Sequence, residues 1–212
     1  MRARIVCPAV ILCGLVAAWA SAGQGTPATS PSPPAVHRPL SVRDAPGYVP
    51  LRDPDSLDDV LGRRRNAPRV DMAFRGGART LPGLGRAVCR ALHTMAPDSM
   101  LELCVKSEEF RVILWPEFPQ SRAATGLRWD DGWQILWGRL NGGSVASVRE
   151  FGDHYWEFVK IEYVAVVPYR NFRLYNGITI TAKNDEGRTE SFTFIRSIAE
   201  RGGRFKIYSM RD

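Results

Sequence analysis

Hydrophobic positions along the chain follow two periods, one after the other. Leu84, Val88, Leu92 and Met95 recur at helical spacing, so residues 82–95 are expected to form one amphipathic helix, with Thr80 as its N-cap and Pro82 in the first turn. A second helix is expected from Asp98 or Ser99, where Ser99-x-x-Glu102 fits a capping box. Ser107-Glu108-Glu109 opens a third, which carries Phe110, Leu114 and Trp115 and stops at Pro116 and Pro119. Trp129, Trp133 and Trp137 then stand at i, i+4 and i+8 with Leu136 and Leu140 alongside. This apolar stripe is bounded by Asn141-Gly142-Gly143, and a last short turn runs from Ser144 to Phe151.

From Tyr155 the period becomes two. Trp156 to Val167 reads as a strand closed by Pro168, and Ile178, Ile180 and Ala182 alternate with Thr179, Thr181 and Lys183. Turn signals at Asn184-Asp185-Glu186-Gly187 and Arg201-Gly202-Gly203 separate a strand with Phe192, Phe194 and Ile198 from a closing strand with Phe205 and Ile207. Helices first and then strands joined by short Gly turns define the α+β class. The expected architecture is N-terminal helices packed on a curved antiparallel β-meander of about four strands.

Two short strings add a resemblance. Gly-Gly-Arg-Phe-Lys-Ile-Tyr-Ser (202–209) and the Phe110 to Pro116 stretch with its Trp-Pro are similar to segments of uncharacterised exported bacterial proteins. Those proteins have a nuclear-transport-factor-like, cystatin-type α+β cone. The resemblance covers residues 80–212 and implies the cone. That fold hosts enzymes, ligand binders and interaction modules, so the resemblance carries no catalytic residue onto this chain.

The N-terminus reads as an export signal: Arg2 and Arg4, an apolar core from Ile5 to Ala20, and the small-x-small pattern Ala20-Ser21-Ala22. The apolar run is shorter than the ~20 residues that span a bilayer, so no transmembrane segment is expected after cleavage. The expected division is 1–22 signal peptide, 23–70 Pro-rich disordered linker and 71–212 a single α+β domain, secreted or periplasmic. Eight prolines between Gly23 and Pro54 motivate the linker. Arg63-Arg64-Arg65 at its end reads as a solvated charge run.

Export changes the meaning of the cysteines, because only Cys89 and Cys104 remain in the mature chain. They lie at equal distances either side of Ala96-Pro97, and residues equidistant from the connection of an antiparallel helix pair face one another. A Cys89–Cys104 disulfide is therefore expected, worth about 3 kcal/mol in the chain-entropy model. The alternative is two reduced, buried thiols.

The net charge of +7 divides into +2 for residues 1–22, +3 for 23–79 and +2 for 80–212. The domain is close to neutral, and no nucleic-acid partner is expected. His37, His93 and His154 are scattered, with no His-Glu-x-x-His and no Cys-x-x-Cys, so neither metal nor cofactor is expected. Ser144 lacks the glycine that would complete a nucleophile elbow. Glu108-Glu109 and Asp130-Asp131 point to different sides of a helix and read as solvated faces. The Trp stripe reads as core. His154 beside Asp153 is the one candidate acid/base pair.

These exclusions leave an exported, non-enzymatic binding or interaction module for an unknown small ligand or protein partner. The alternative is a small cone-fold enzyme that uses a His or a carboxylate for proton transfer. By the period of two, Phe192, Phe194, Arg196 and Ile198 share one face, where Arg196 is a cation among apolar side chains. Arg196 is the expected ligand contact, with Tyr163 and Trp156 flanking it.

Overall fold

A computed structural model of the 212-residue chain describes residues 60–152 and 154–211. The signal segment and the linker up to residue 59 lie outside the described residues. The architecture is α+β: helices followed by two antiparallel sheets.

Helix α1 (Leu81–His93) starts where the side chain of Thr80, held in extended conformation, accepts the Gly83 N–H at 3.0 Å. Its apolar face, with Leu84, Val88 and Leu92 fully buried, packs against the first strand. Gly85 has to be small here, since a Cβ would stand 2.2 Å from the Phe158 ring. A short α2 (Pro97–Glu102) follows, then α3 (Ser107–Glu109). The chain widens beyond α3 into a π-helical turn (Phe110–Leu114) and tightens into a 3₁₀ turn (Trp115–Glu117).

The fourth helix, α4 (Trp129–Phe151), runs unbroken through Asn141-Gly142-Gly143, where the residue pattern predicts a stop. Gly143 is buried against the last strand, and a Cβ there would meet the Arg211 carbonyl oxygen at 2.5 Å. The glycine serves close approach, not termination. Ser144 accordingly lies fully buried in mid-helix.

Four arms, residues 156–168, 173–184, 189–201 and 204–210, run antiparallel in sequence order, and the first three are each broken midway. The arms contribute β1 (Trp156–Glu162) and β2 (Ala165–Pro168), β3 (Arg173–Asn176) and β4 (Thr179–Asn184), β5 (Thr189–Phe192) and β6 (Ile195–Arg201), and finally β7 (Arg204–Met210). The breaks face one another: the Val164 N–H donates to Asn176 O at 2.9 Å, and the Gly177 N–H donates to Arg196 O at 3.0 Å. They form one transverse crease that divides the meander into a β1-β4-β5 sheet and a β2-β3-β6-β7 sheet. Gly177 sits in the crease with φ of 67°, and a Cβ there would stand 2.6 Å from Val164 Cγ2.

The packed unit also begins earlier than the expected boundary at residue 71. Ala67 is fully buried, and the Arg64 N–H donates to Glu117 O at 2.7 Å. Cationic side chains fasten this leading strap through its neighbours' carbonyls. Arg63 reaches Pro168 O at 2.6 Å, Arg170 reaches Ala67 O at 2.9 Å, and Arg201 binds the carbonyls of Met72, Val70 and Asn171. Arg63 and Arg64 are thus structural donors and not a solvated run.

The expected Cys89–Cys104 disulfide is absent: both are free, buried thiols. The symmetry argument needs Cys104 on the second helix, but α2 ends at Glu102. Cys104 instead bridges in parallel to Ile207 of β7, and its S–H donates to Met100 O at 3.4 Å. Burial pushes the Cys89 thiol up to about 11 and the Cys104 thiol up to about 12.

Candidate functional site

Two features stand out within the domain. The first is a buried ion pair. Lys206, fully buried on β7, directs its ammonium at both oxygens of Glu109 (2.9 and 2.7 Å) and at Arg75 O (2.9 Å). Glu109 also accepts the Arg75 N–H at 2.7 Å and the Lys106 N–H at 2.8 Å. Three ammonium protons meet three acceptors, and each carboxylate oxygen takes two donors. Glu109 is thus not the solvated residue that its doublet with Glu108 suggests. Nearby, buried Glu117 accepts the Asn171 N–H and its side-chain amide, both at 2.6 Å, and the Arg170 N–H at 3.1 Å. Glu109 is saturated by the protein, and Glu117 takes three donors from one turn, so both carboxylates serve the fold.

The second is a pocket of about 510 Å³ between α4, the turns that precede it and the four-stranded sheet. Its walls are apolar: Phe110, Trp115, Phe118, Leu127, Ile135 and Leu136. The sequence builds them locally. The π-turn brings Phe110 and Trp115 into ring contact at 5.8 Å, and Gly132 of α4 admits the Trp115 ring, which a Cβ would meet at 2.6 Å. Phe118 closes the far wall, 5.9 Å from the Tyr208 ring.

Few polar groups enter this space. Asp131 lies in the first turn of α4, where its carboxylate accepts the Arg128 N–H at 3.3 Å. Arg139 lies two turns further on, and among the described residues it makes no ion pair. Tyr208 reaches in from β7. Burial above all, and then the nearby Tyr169, push its phenol well above the ordinary range, while the Arg139 charge pulls it back. Among the described residues the Tyr208 hydroxyl has no hydrogen-bond partner.

The structure does not bring the three expected ligand contacts together. Arg196 is exposed, because the Thr193-Phe194 break and the register shifts of β6 against β7 between Ile195 and Ile198 reset the alternation. Ile195, Ser197 and Ile198 turn inward in its place. Arg196 shares an open groove at the crease with Arg211, Thr179 and Thr193. Trp156 is buried against Phe192 at 4.9 Å and donates its indole N–H to Phe151 O at 2.7 Å. Tyr163 is exposed, edge-on to Tyr175 at 5.0 Å. Trp156 opens β1 and Tyr163 follows its end, so about 23 Å of extended chain separate them.

His154 pairs with Asp185 at 3.5 Å across the end of the meander and stands edge-on to Trp156. Asp153 lies outside the described residues. The Trp stripe is only partly core: Trp133 packs on Phe110 at 5.7 Å, while Trp129 and Trp137 remain 36% and 39% exposed. Among the described residues, no group of three His, Cys, Asp or Glu gathers as a metal site. No helix of the described residues is long and apolar enough to cross a membrane.

Residue patterning missed Arg139 and Tyr208 as site residues. One signal for Arg139 was present. Its helical neighbours at i±3 and i±4 are Leu136, Ile135, Gly142 and Gly143, none of which can pair with a cation. Tyr208 belongs to the closing strand and carries no local sign of its pocket. No protein-family model, curated protein or solved structure matches this chain.

Proposed function

We propose that the chain is an exported, non-enzymatic binding module whose ligand occupies the pocket between α4 and the four-stranded sheet. The observation that carries this reading is the pocket itself. Its volume lies in the range of small-molecule sites, and apolar walls with a few convergent polar groups are what such sites share. Trp115 and Phe118 offer flat surfaces to an aromatic or alicyclic body. The cone architecture suggested by the 202–209 string belongs to the same proposal, supported by the bent antiparallel arms and the long helix laid against β7. Export rests on the signal-like first 22 residues.

The test is binding of a neutral apolar fluorophore, N-phenyl-1-naphthylamine, to the purified chain. Saturable binding at one site is expected, lost in Ile135→Trp. That variant fills the pocket from a position 62% exposed, where the fold tolerates a larger side chain. Absence of saturable binding, or binding untouched by Ile135→Trp, overturns the reading.

A further inference from the structure

We propose that the ligand of this pocket is an organic carboxylate: an apolar, ring-sized body with one anionic group, met by the Arg139 guanidinium and the Tyr208 hydroxyl. This rests on the pocket being the ligand site and adds the ligand's chemical class.

The pocket is polarised along α4. Asp131 and Arg139 are its two charged lining residues, eight positions apart and so about 12 Å along the helix axis. The acidic end is already matched. Asp131 sits at the positive end of the helix dipole and accepts a backbone N–H from Arg128. The cationic end is not. Arg139 lies in mid-helix, with no acid one turn away on either side and no ion pair among the described residues.

Opposite it, Tyr208 keeps a neutral, proton-bearing hydroxyl, since burial opposes its ionisation. A guanidinium and an O–H are both donors, and the candidate backbone acceptor nearby, Gly62 O, is taken by the Tyr169 hydroxyl at 3.1 Å. Gln120 and Ser209 also line the pocket and can donate or accept, so the unpartnered donors Arg139 and Tyr208 beside the aromatic walls favour an acceptor carried on an apolar body. A carboxylate supplies two acceptor oxygens and the opposite charge. Arg139 is itself exposed, so it would meet a carboxylate at the open edge of the pocket while the apolar body lies against the aromatic walls.

The experiment compares two probes of equal shape on the full chain, 2-naphthoate and 2-naphthamide, followed by calorimetry and by quenching of Trp115. The wild type should bind 2-naphthoate at least tenfold more tightly than the amide. Arg139→Gln should weaken the acid much more than the amide and so remove most of the preference, with Arg139→Lys recovering part of it. Tyr208→Phe should weaken the acid without abolishing it. Equal affinity of the wild type for both probes, or an equal loss of both in Arg139→Gln, overturns the carboxylate assignment while the pocket stands. Failure of both probes and of the neutral fluorophore to bind overturns the pocket reading and this inference with it.

Discussion

Lys206 is fully buried on β7 and Arg139 is exposed on α4 beside the pocket, and the surroundings of the two cations are opposite. Around Lys206 every ammonium proton faces an acceptor, and every Glu109 lone pair in reach faces a donor. Arg139 and Tyr208 have no hydrogen-bond or ion-pair partner among the described residues, and they stand beside aromatic walls and open volume. The first arrangement ties the strap, α3 and β7 into one body and leaves nothing to offer a ligand. The second contributes little to holding the fold and retains its hydrogen-bonding capacity. A buried charge is thus a poor guide to function until its partners are counted.

The sharpest way to break this contrast is Lys206→Met. It leaves Glu109 buried without its cation, and unfolding in guanidinium chloride should show a loss of about 3–5 kcal/mol. Glu109→Gln combined with Lys206→Met should be less destabilised than Lys206→Met alone, because the stranded charge is gone. A loss under about 1 kcal/mol for the single variant would mean the ion pair is not the structural tie described above.

Glu117→Gln should cost less, about 1–3 kcal/mol in the same assay, since an amide N–H₂ then faces one of the hairpin donors that the carboxylate satisfied. No change would show that the turn at Arg170-Asn171 does not depend on its acceptor.

The buried thiols add a pH dependence on the structural side. Folded Cys89 and Cys104 ionise near about 11 and about 12, above the ordinary 9.0. The neutral forms are therefore favoured by folding. Stability from this source is complete below pH 9 and is lost as pH rises through the folded values. Chemical denaturation between pH 8 and pH 11 should show this decline, reduced in Cys89→Ala/Cys104→Ala. A flat profile in both proteins would rule it out.

The smallest effects should come from the pocket. Arg139→Gln and Tyr208→Phe remove groups without protein partners, so each should change stability by no more than about 0.5 kcal/mol. A loss above about 1 kcal/mol for Tyr208→Phe would place its hydroxyl among the structural groups and erase the contrast.

Local patterning determined a good deal. Leu84, Val88 and Leu92 mark the face of α1, Thr80 marks its start, and the Thr179–Asn184 alternation together with the Gly turns marks the order of the arms. These features are set by neighbours within a few residues, through side-chain spacing, capping and turn conformation, and can be read without a fold. The α+β class follows from them.

Only the tertiary structure decided the rest, because each remaining feature depends on a partner distant in sequence. Gly143 looks like a helix stop until the Met210–Arg211 backbone is placed against it. The equal offsets of Cys89 and Cys104 suggest a bridge until α2 proves too short to carry the second thiol. Arg196 belongs to an apolar face only on an unbroken strand, and the crease, made by three arms bending together, turns it out to solvent. Glu109 and Lys206 lie 97 positions apart, and Glu109 alone reads as part of a solvated face. Arg139 was the part of the pocket that its own helix could have revealed. Tyr208 was not, because the partners a phenol lacks can be counted only once the chain has folded around it.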